Sequence, residues 1–286
     1  MKTILYATDY SDNSIAALKY AHDMCVRMDA KLLVTHVGDY PTVINSKPGK
    51  SIKDLKNSRI EENNEKLEQF CKANLGEDWS KLNIKTEAIV DKSIVNGIVS
   101  KAKEVQSCLI ITGMKGTSRL RKLIMGSTAR NLIKEAPYPV LTIPEGTSFN
   151  EIKTIVYATD FQDQDLGAIK NLVEIAEPLH AKIKVVHVAP LKEVIDEGER
   201  KVLDEKLNKY VKYKNMELHI IYSNHIFNEL KTYYGEKNAD IIAMLERENN
   251  GIGKKLFYQN LLEKMKSYGK VPLMSFNAKN YGMFHL

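Results

Sequence analysis

The 286-residue chain contains one strand pattern twice, and this internal repeat limits its fold more than any other feature. Met1–Asp9 reads MKTILYATD, and Ile152–Asp160 reads IKTIVYATD. The same offset of 151 residues aligns Ala30–Val37 with Ala181–Val188. Repetition over this length indicates that two copies of one domain follow each other along the chain.

Later in the chain the offset between the two copies falls to 133 residues. It then aligns Cys108–Thr112 with Ile241–Leu245, and Pro139–Ile143 with Pro272–Phe276. The first copy thus contains 18 additional residues between its second and fourth strands. We predict two domains and a linker: residues 1–147, residues 148–286, and Thr147–Ile152 between them.

Within each copy, apolar runs typical of strands alternate with helical patterns. Such alternation predicts a parallel sheet wrapped by helices through right-handed crossovers. We therefore predict an α/β protein of two tandem doubly wound domains, each a five-stranded parallel sheet flanked by helices. The predicted strands are Thr3–Ala7, Lys31–Val37, Asn83–Val90, Cys108–Thr112 and Val140–Ile143, then Thr154–Ala158, Ile183–Val188, Met216–Tyr222, Ile241–Leu245 and Pro272–Phe276.

Four helices are predicted in the first copy. They cover Ser11–Met28, Ile52–Asn74, Ser93–Val105 and a segment from Ser127 to Pro137. For the first of them Asp12, Asn13 and Ser14 are the candidate N-caps. Gly38–Lys50 contains two prolines and reads as a loop. It is either a lid over a ligand or a mobile surface loop.

A glycine motif separates the fourth strand of the first copy from its last helix. Gly113, Gly116, Gly126 and Ser127 have the spacing G-x2-G-x9-G-[ST]. Glycine has no Cβ, so backbone N–H groups can approach a phosphate, and a helix N-terminus adds free donors. Ser127 can cap the helix or donate its hydroxyl. Basic residues surround the loop: Lys115, Arg119, Arg121, Lys122 and Arg130. A phosphate site is predicted, and the alternative is that these glycines only turn the chain.

This motif resembles the nucleotide-binding motif of the universal stress protein family, whose spacing it matches without a gap. The resemblance implies an adenine nucleotide alpha hydrolase-like fold that binds ATP or another adenine nucleotide, with or without Mg. In that family an aspartate after strand one contacts the adenosine, and the backbone closing strand two contacts the adenine. By resemblance these are Asp9, preceded by Ala7 and Thr8, and Val37. The family often has proline where Ala7 stands. The ribose and phosphates would be held by Thr112, Gly113, Lys115, Gly116, Gly126, Ser127 and Thr128.

The second copy departs from this motif. Asp160 and Val188 stand where the first copy has Asp9 and Val37. At the 133-residue offset, however, the glycine motif is replaced by Glu246, Asn249, Gln259 and Asn260. Acidic side chains at close range would repel a triphosphate. We therefore predict that the second copy has lost the site and that the chain binds one nucleotide.

Composition and charge exclude several other classes of function. The net charge of +6 comes without a long Lys/Arg block, which argues against a nucleic-acid partner. No apolar run reaches 18 residues and no signal peptide is visible, so we expect no membrane partner and a cytoplasmic location. Three cysteines do not form a disulfide framework. His36 and His187 occupy equivalent strand positions without a ligand cluster, so no metal site is predicted.

Three function classes follow from these patterns. The first is an ATP-binding stress-response module with one site and little or no turnover. The second is an interaction or scaffold protein whose nucleotide site is vestigial. The third, a nucleotide-hydrolysing or phosphotransfer enzyme, is disfavoured because no Walker lysine and no general base with a partner is found. No catalytic residue is assigned, and at most a slow ATPase is expected.

The fifth strands predict how the copies associate. Val140–Ile143 and Leu273–Phe276 are apolar and would lie at sheet edges, which are costly to leave unpaired. In families of this kind, strand five often pairs antiparallel with strand five of another domain. We therefore predict an internal pseudo-dimer of the two copies, and a homodimer remains an open alternative.

Overall fold

A computed structural model describes the protein over residues 1–40, 51–116, 123–193, 195–247 and 271–281. The chain divides into two compact units, with a boundary between Phe149 and Asn150 that falls in the predicted linker. Among the described helices, none combines the length and the apolar character needed to cross a membrane. Several residues discussed above lie outside the described ranges: 41–50, Arg119, Arg121, Lys122, Asn249, Gln259 and Asn260.

The first unit contains one five-stranded sheet. Its strands are all parallel and lie in the order β3-β2-β1-β4-β7. In chain order they are β1 (Thr3–Ala7), β2 (Lys31–Asp39), β3 (Ile84–Asp91), β4 (Leu109–Gly113) and β7 (Val140–Ile143). Two short strands outside this sheet, β5 (Lys115–Gly116) and β6 (Leu123–Ile124), follow β4 in the chain. The strand order reverses between β1 and β4, so the carboxyl ends of both strands open onto one crevice.

Four helices pack on this sheet, and because they cover both of its faces, its strands are apolar. They are α1 (Asp12–Met28), α2 (Ile52–Leu75), α3 (Ile94–Glu104) and α4 (Ser127–Glu135), and a short 3₁₀ helix lies at Glu77–Lys81. Leu5 on β1 and Ile110 on β4 are fully buried because helices pack on both faces of a parallel sheet. On α1 the buried Leu18, Ala21 and Met24 follow the helical spacing seen in the sequence.

Two predicted helix caps are wrong. The N-cap of α1 is Ser11 rather than Asp12, Asn13 or Ser14, because Asp12 already has helical geometry. The N-cap of α4 is Gly126, and Ser127 is the first helical residue. In both cases several cap-forming residues stand next to each other, so their sequence does not show which of them precedes the first turn.

The second unit repeats the fold of the first. Its strands are β8 (Thr154–Ala158), β9 (Lys182–Ala189), β10 (Met216–Tyr222), β11 (Ile241–Glu246) and β12 (Leu273–Asn277). They are parallel in the order β10-β9-β8-β11-β12, with the same reversal after the first strand. The helices are α5 (Asp163–Ala176), α6 (Glu197–Tyr210) and α7 (Ile226–Glu236), and a 3₁₀ helix follows at Ala278–Asn280. The predicted α/β class with parallel sheets is confirmed.

The strand register corrects the alignment of the two copies by one residue at the fourth strand. Ala7 on β1 pairs with Thr112 on β4, whereas its counterpart Ala158 on β8 pairs with Met244 on β11. The offset at this strand is therefore 132 residues, and the predicted 133 applies only from the fifth strand. Sequence similarity of two apolar runs does not fix their register, because a shift by one residue still aligns apolar with apolar.

The corrected register changes which residues replace the glycine motif. The counterpart of Gly113 is Leu245 and not Glu246. Counting on along the chain, the counterpart of Lys115 is Arg247. The second unit thus still lacks the first glycine of the motif, but it places a cation where the first unit has a lysine.

Candidate functional site

A cavity of about 160 Å³ opens at the carboxyl ends of β1, β2 and β4 in the first unit. This is the reversal point of the strand order, where open α/β sheets bind ligands. Nine of the predicted site residues line it: Ala7, Thr8, Asp9, Val37, Thr112, Gly113, Gly126, Ser127 and Thr128. The remaining two, Lys115 and Gly116, form β5.

Several lining residues were missed by the sequence analysis. They are Ser11, Asn13, Ser14, His36, Ile94, Ile98 and Ala129. Three come from the start of α1, which follows Asp9 after two residues, so the position of Asp9 already indicated them. Ile94 and Ile98 lie one helical turn apart on α3, and Ile94 is 46% exposed. That exposure of an apolar residue is the signal that marks α3 as a wall of the site.

Hydrogen bonds fix the corner between β1 and α1 at the base of the cavity. The Tyr6 hydroxyl donates to the Ser14 carbonyl at 2.6 Å, and burial raises the pKa of Tyr6. The Thr8 hydroxyl donates to the Ser14 hydroxyl at 3.1 Å, which in turn donates to the Ser11 carbonyl at 2.6 Å. Each of these three hydroxyls therefore has a hydrogen-bond partner, and the bonds hold the start of α1 against the end of β1.

Asp9 closes the turn that leads into α1. Its Oδ1 accepts hydrogen bonds from the Ser11 N–H at 3.1 Å and from the Ser11 hydroxyl at 2.5 Å. The Asp9 side chain is exposed and lines the cavity. The Asp9 carboxylate therefore stabilises the turn before α1 through these hydrogen bonds. It also provides a hydrogen-bond acceptor in the cavity.

His36 supports the same corner from β2. Its Nδ1 lies 2.8 Å from the Thr8 carbonyl, which can only accept, so Nδ1 carries the proton and donates. The ring stacks on Tyr10 with centroids 4.4 Å apart, and Tyr10 has a φ of 62°. His187 makes the equivalent bond to the Thr159 carbonyl at 2.9 Å in the second unit. In both units this histidine thus connects the second strand to the end of the first strand.

Val37 offers its backbone to the cavity because its side chain is packed away. The side chain is 6% exposed. A Cβ added to Gly97 on α3 would lie 2.9 Å from Val37 Cγ1, so glycine at that position makes room for the valine. The Val37 side chain is therefore held against α3.

The two glycines that line the cavity have different surroundings. A Cβ at Gly113 would lie 3.0 Å from the Asn13 carbonyl oxygen, so Gly113 allows β4 to end close to α1. A Cβ at Gly126 would meet nothing within 4 Å, and Gly126 has an ordinary φ of −61°. Gly126 alone therefore leaves space that a ligand can use.

The N-terminus of α4 supplies the positive potential of the cavity. Gly126, Ser127, Thr128 and Ala129 all line it. The first N–H groups of a helix have no intrahelical acceptor, and the helix dipole adds about half a positive charge there. No Lys or Arg occurs among the described lining residues, and Arg130 is exposed on α4. Backbone N–H groups at a helix N-terminus are the kind of donor that binds an anion.

The comparison with known sequences identifies the family. A sequence model of the universal stress protein family matches residues 1–144. The chain belongs to this family. It is 30% identical over 142 residues to a universal stress protein of Methanocaldococcus jannaschii, which covers 50% of this chain and 81% of that protein. A second universal stress protein of that organism is 25% identical over 162 residues, covering 51% and 97%.

Solved structures of universal stress proteins have the same fold as the whole chain. A universal stress protein from Archaeoglobus fulgidus superimposes with a TM-score of 0.68 at 18% identity, covering 96% of this chain and 98% of that one. A putative universal stress protein from Pseudomonas aeruginosa gives 0.62 at 16% identity, covering 97% and 93%. Since these identities are low, the likeness concerns the fold alone.

In the second unit, an ion pair lies at the position that corresponds to Asp9 and Ser14 of the first cavity. Arg247 Nη1 lies 2.6 Å from Asp160 Oδ1, and Arg247 Nη2 lies 3.0 Å from Asp165 Oδ2. Asp165 also accepts a hydrogen bond of 2.7 Å from the Tyr157 hydroxyl. By the 151-residue offset Asp165 is the counterpart of Ser14, which lines the first cavity. Asp160, the aspartate that follows the first strand of this unit, is thus neutralised by Arg247 of the same chain.

Proposed function

We propose that the protein is an adenine-nucleotide-binding universal stress protein, with one ATP site in the first unit. The observation that carries this proposal is the joint lining of one cavity by the ends of β1 and β2 and the N-terminus of α4. These three elements are far apart in the sequence. Their convergence provides an acceptor, a free backbone edge and anion donors at one place.

Each part of the nucleotide then has an assigned partner. The adenine contacts the backbone at Val37 and the ribose contacts Asp9, whereas the phosphates bind the N–H groups at the start of α4 around Ser127. Among the described lining residues Asp9 carries the only carboxylate. A bound Mg²⁺ is therefore held mainly by phosphate oxygens and water.

Binding rather than turnover is the proposed activity. Phosphoryl transfer needs placed charge and an oriented nucleophile. Asp9, the one carboxylate among the described lining residues, already accepts two hydrogen bonds from Ser11. Hydrolysis, if measured, is expected well below the roughly 1–1,000 per second of ordinary enzymes.

The deciding experiment changes Gly126. Gly126→Asp adds bulk and negative charge in open space where the phosphates are proposed to bind, and should weaken ATP binding at least about 100-fold by loss of two charge-assisted hydrogen bonds. Calorimetric titration of the unchanged chain should give one nucleotide per chain. A stoichiometry of two would mean that the second unit binds as well.

The same position provides its own control for folding. Asp and Asn are better N-caps than Gly, by a few tenths of a kcal/mol. Gly126→Asp and Gly126→Asn should therefore unfold no earlier than the parent, and Asn, which lacks the charge, should lose less affinity than Asp. ATP binding by Gly126→Asp with the parent affinity would place the site elsewhere. A parent that binds no nucleotide would favour the scaffold function with a vestigial site.

The wider cellular role rests on the same proposal. A nucleotide-binding universal stress protein is a regulatory module of the stress response, and its association with itself through strand five is part of the proposal. The internal pseudo-dimer, the homodimer, the cytoplasmic location and the absence of nucleic-acid and membrane partners stay predictions.

A further inference from the structure

A second and larger cavity, of about 550 Å³, lies in the second unit. Sites for small molecules typically have volumes of about 300–1,000 Å³. Asp160, His187 and Val188 line this cavity. The 151-residue offset makes them the counterparts of three residues that line the first cavity. Both cavities therefore start from the same corner of the repeated fold.

From this corner the second cavity extends in a different direction. In the first unit the lining continues to the end of β4 and the start of α4. In the second unit that inner side is occupied by Arg247, which bridges Asp160 and Asp165. The lining continues instead to Ile195, to α6 and to the first residue of α7. None of the described lining residues is a counterpart of the α4 residues that line the first cavity.

The outer wall of the second cavity is apolar and poorly covered. Val202 and Leu203 of α6 line it together with Ile226 of α7. Val202 is 62% exposed, and Leu207 is the only residue of α6 that is buried. Apolar side chains arranged around a cavity leave water when a ligand with an apolar body enters, which favours binding.

The polar groups of the same cavity are acidic. Its described lining contains the carboxylates of Asp160, Glu193 and Glu199 and no Lys or Arg. Arg247 neutralises Asp160, whereas Glu199 belongs to the capping box at the start of α6, where Asp196 already serves as N-cap. The helix N-terminus beside this cavity therefore faces its own carboxylates and repels a phosphate.

Aromatic rings complete the inner wall. Phe161 and His187 both line the cavity, and their ring centroids lie 4.7 Å apart. Aromatic faces attract organic cations, and carboxylates nearby add to that attraction. A neutral ligand gains from the apolar wall and the rings, but only a cation gains from all three features.

We propose that this cavity binds a small organic cation with an apolar or aromatic body, and that it excludes phosphate-bearing nucleotides. The binding site is separate from the nucleotide site proposed for the first unit and does not depend on it. The second copy has thereby kept a ligand cavity while its ligand chemistry changed from anion to cation.

A charge series of one ring system tests this proposal on the full chain. Tryptamine, tryptophol and indole-3-acetate carry a cationic, a neutral and an anionic group on the same indole. Two-dimensional NMR titrations should show tryptamine shifting the amides of Val188, Val202 and Leu203. Tryptamine should bind about threefold or more tightly than tryptophol, and indole-3-acetate should bind weakest. Equal affinity for all three, or shifts confined to the first unit, would overturn the proposal.

Two variants separate the apolar wall from the carboxylates. Val202→Trp fills the cavity from an exposed helix position and should abolish the tryptamine shifts. The double variant Glu193→Gln with Glu199→Gln should keep tryptophol binding and remove the preference for the cation. Glu205→Gln, on an exposed part of α6 outside the lining, is the matched control and should bind like the parent. A double variant that still prefers tryptamine to the same extent would contradict the role of these carboxylates.

Discussion

Arg247 and Lys115 occupy equivalent positions after the fourth strand of each copy. In the second unit this cation is directed inward, where it binds two carboxylates and has a side chain only 11% exposed. Asp165 is buried and Asp160 is half-buried, so without a counter-charge these neighbouring carboxylates would destabilise the fold. The sequence alone did not reveal this trio, because Arg247 is 82 residues from Asp165.

Removing that counter-charge should destabilise the second unit strongly. Arg247→Met keeps much of the side-chain volume but leaves Asp165, which is 3% exposed, without its ion partner. We expect a loss of about 3–5 kcal/mol in the free energy of unfolding, measured by urea denaturation at pH 7. Arg200→Met, at an exposed position of α6, is the control and should change stability by less than about 0.5 kcal/mol. Equal effects of the two variants would show that the trio contributes nothing.

The protonation of Asp165 predicts a pH dependence of stability. Burial raises its pKa from 3.8 to about 6, although Arg247 acts in the opposite direction. The folded state then holds this proton at pH values where the unfolded state has released it. The contribution of Asp165 is therefore full below about pH 4 and falls as the pH rises through about 6. Asp165→Asn should flatten the stability curve between these pH values, and an unchanged slope in the variant would contradict the raised pKa.

At the scale of elements, the strands were predictable, whereas the end of β2 was not. Val140–Ile143 was placed correctly because a buried parallel strand is a continuous apolar run between turn residues. Met216–Tyr222 was also placed correctly, although its residues are not buried and include Glu217 and His219. β2 extends to Asp39, two residues into the expected loop, because Gly38 and Asp39 continue the pairing with β3. Glycine and aspartate are uncommon in strands, so only the pairing itself shows the longer strand.

The candidate site was predictable where backbone geometry determines it. Asp9, Val37 and Gly113 meet because the carboxyl ends of neighbouring parallel strands share one edge. The difference between the two glycines was not predictable: a Cβ at Gly113 would lie close to the backbone of α1, whereas a Cβ at Gly126 would meet nothing within 4 Å. Which atoms surround an added Cβ depends on packing between elements that are distant in the chain.

The start of α2 offers a test at the scale of one element. The Ser51 hydroxyl accepts from the Asp54 N–H at 3.2 Å, and the Asp54 carboxylate accepts from the Ser51 N–H at 3.2 Å, so the two residues form a capping box. Ser51→Ala should lower the free energy of unfolding by about 1 kcal/mol. Ser58→Ala, at an exposed position inside the same helix, should be neutral or slightly stabilising, since alanine is the better helix former. Thermal or urea denaturation of both variants measures the difference, and equal effects would exclude a contribution of the cap.

At the scale of the whole molecule, strand β7 determines how the first unit behaves when it is separated from the second. Within the first unit, β7 stands at the end of the strand order and pairs with β4 along one edge. In an isolated first copy, Met1–Thr147, the other edge of this apolar strand would expose unpaired N–H and C=O groups. We expect the isolated copy to self-associate.

Sedimentation velocity over a range of concentrations measures this association. Circular dichroism of the same samples verifies that the isolated copy is folded, so that aggregation of unfolded chains is not mistaken for pairing. A folded first copy that remains monomeric at millimolar concentration would contradict edge pairing through strand five.

The ion pair of Arg247 makes the stability of the two copies respond differently to an external anion. A site that waits for an external anion gains stability with ligand concentration, as RT ln(1 + [L]/Kd) describes. A site whose counter-charge is part of the chain has the same stability whether ATP is abundant or scarce. With the proposed nucleotide site, the stability of the first copy therefore rises with the nucleotide concentration. The stability of the second copy does not depend on that concentration, so the difference between the two stabilities reports it.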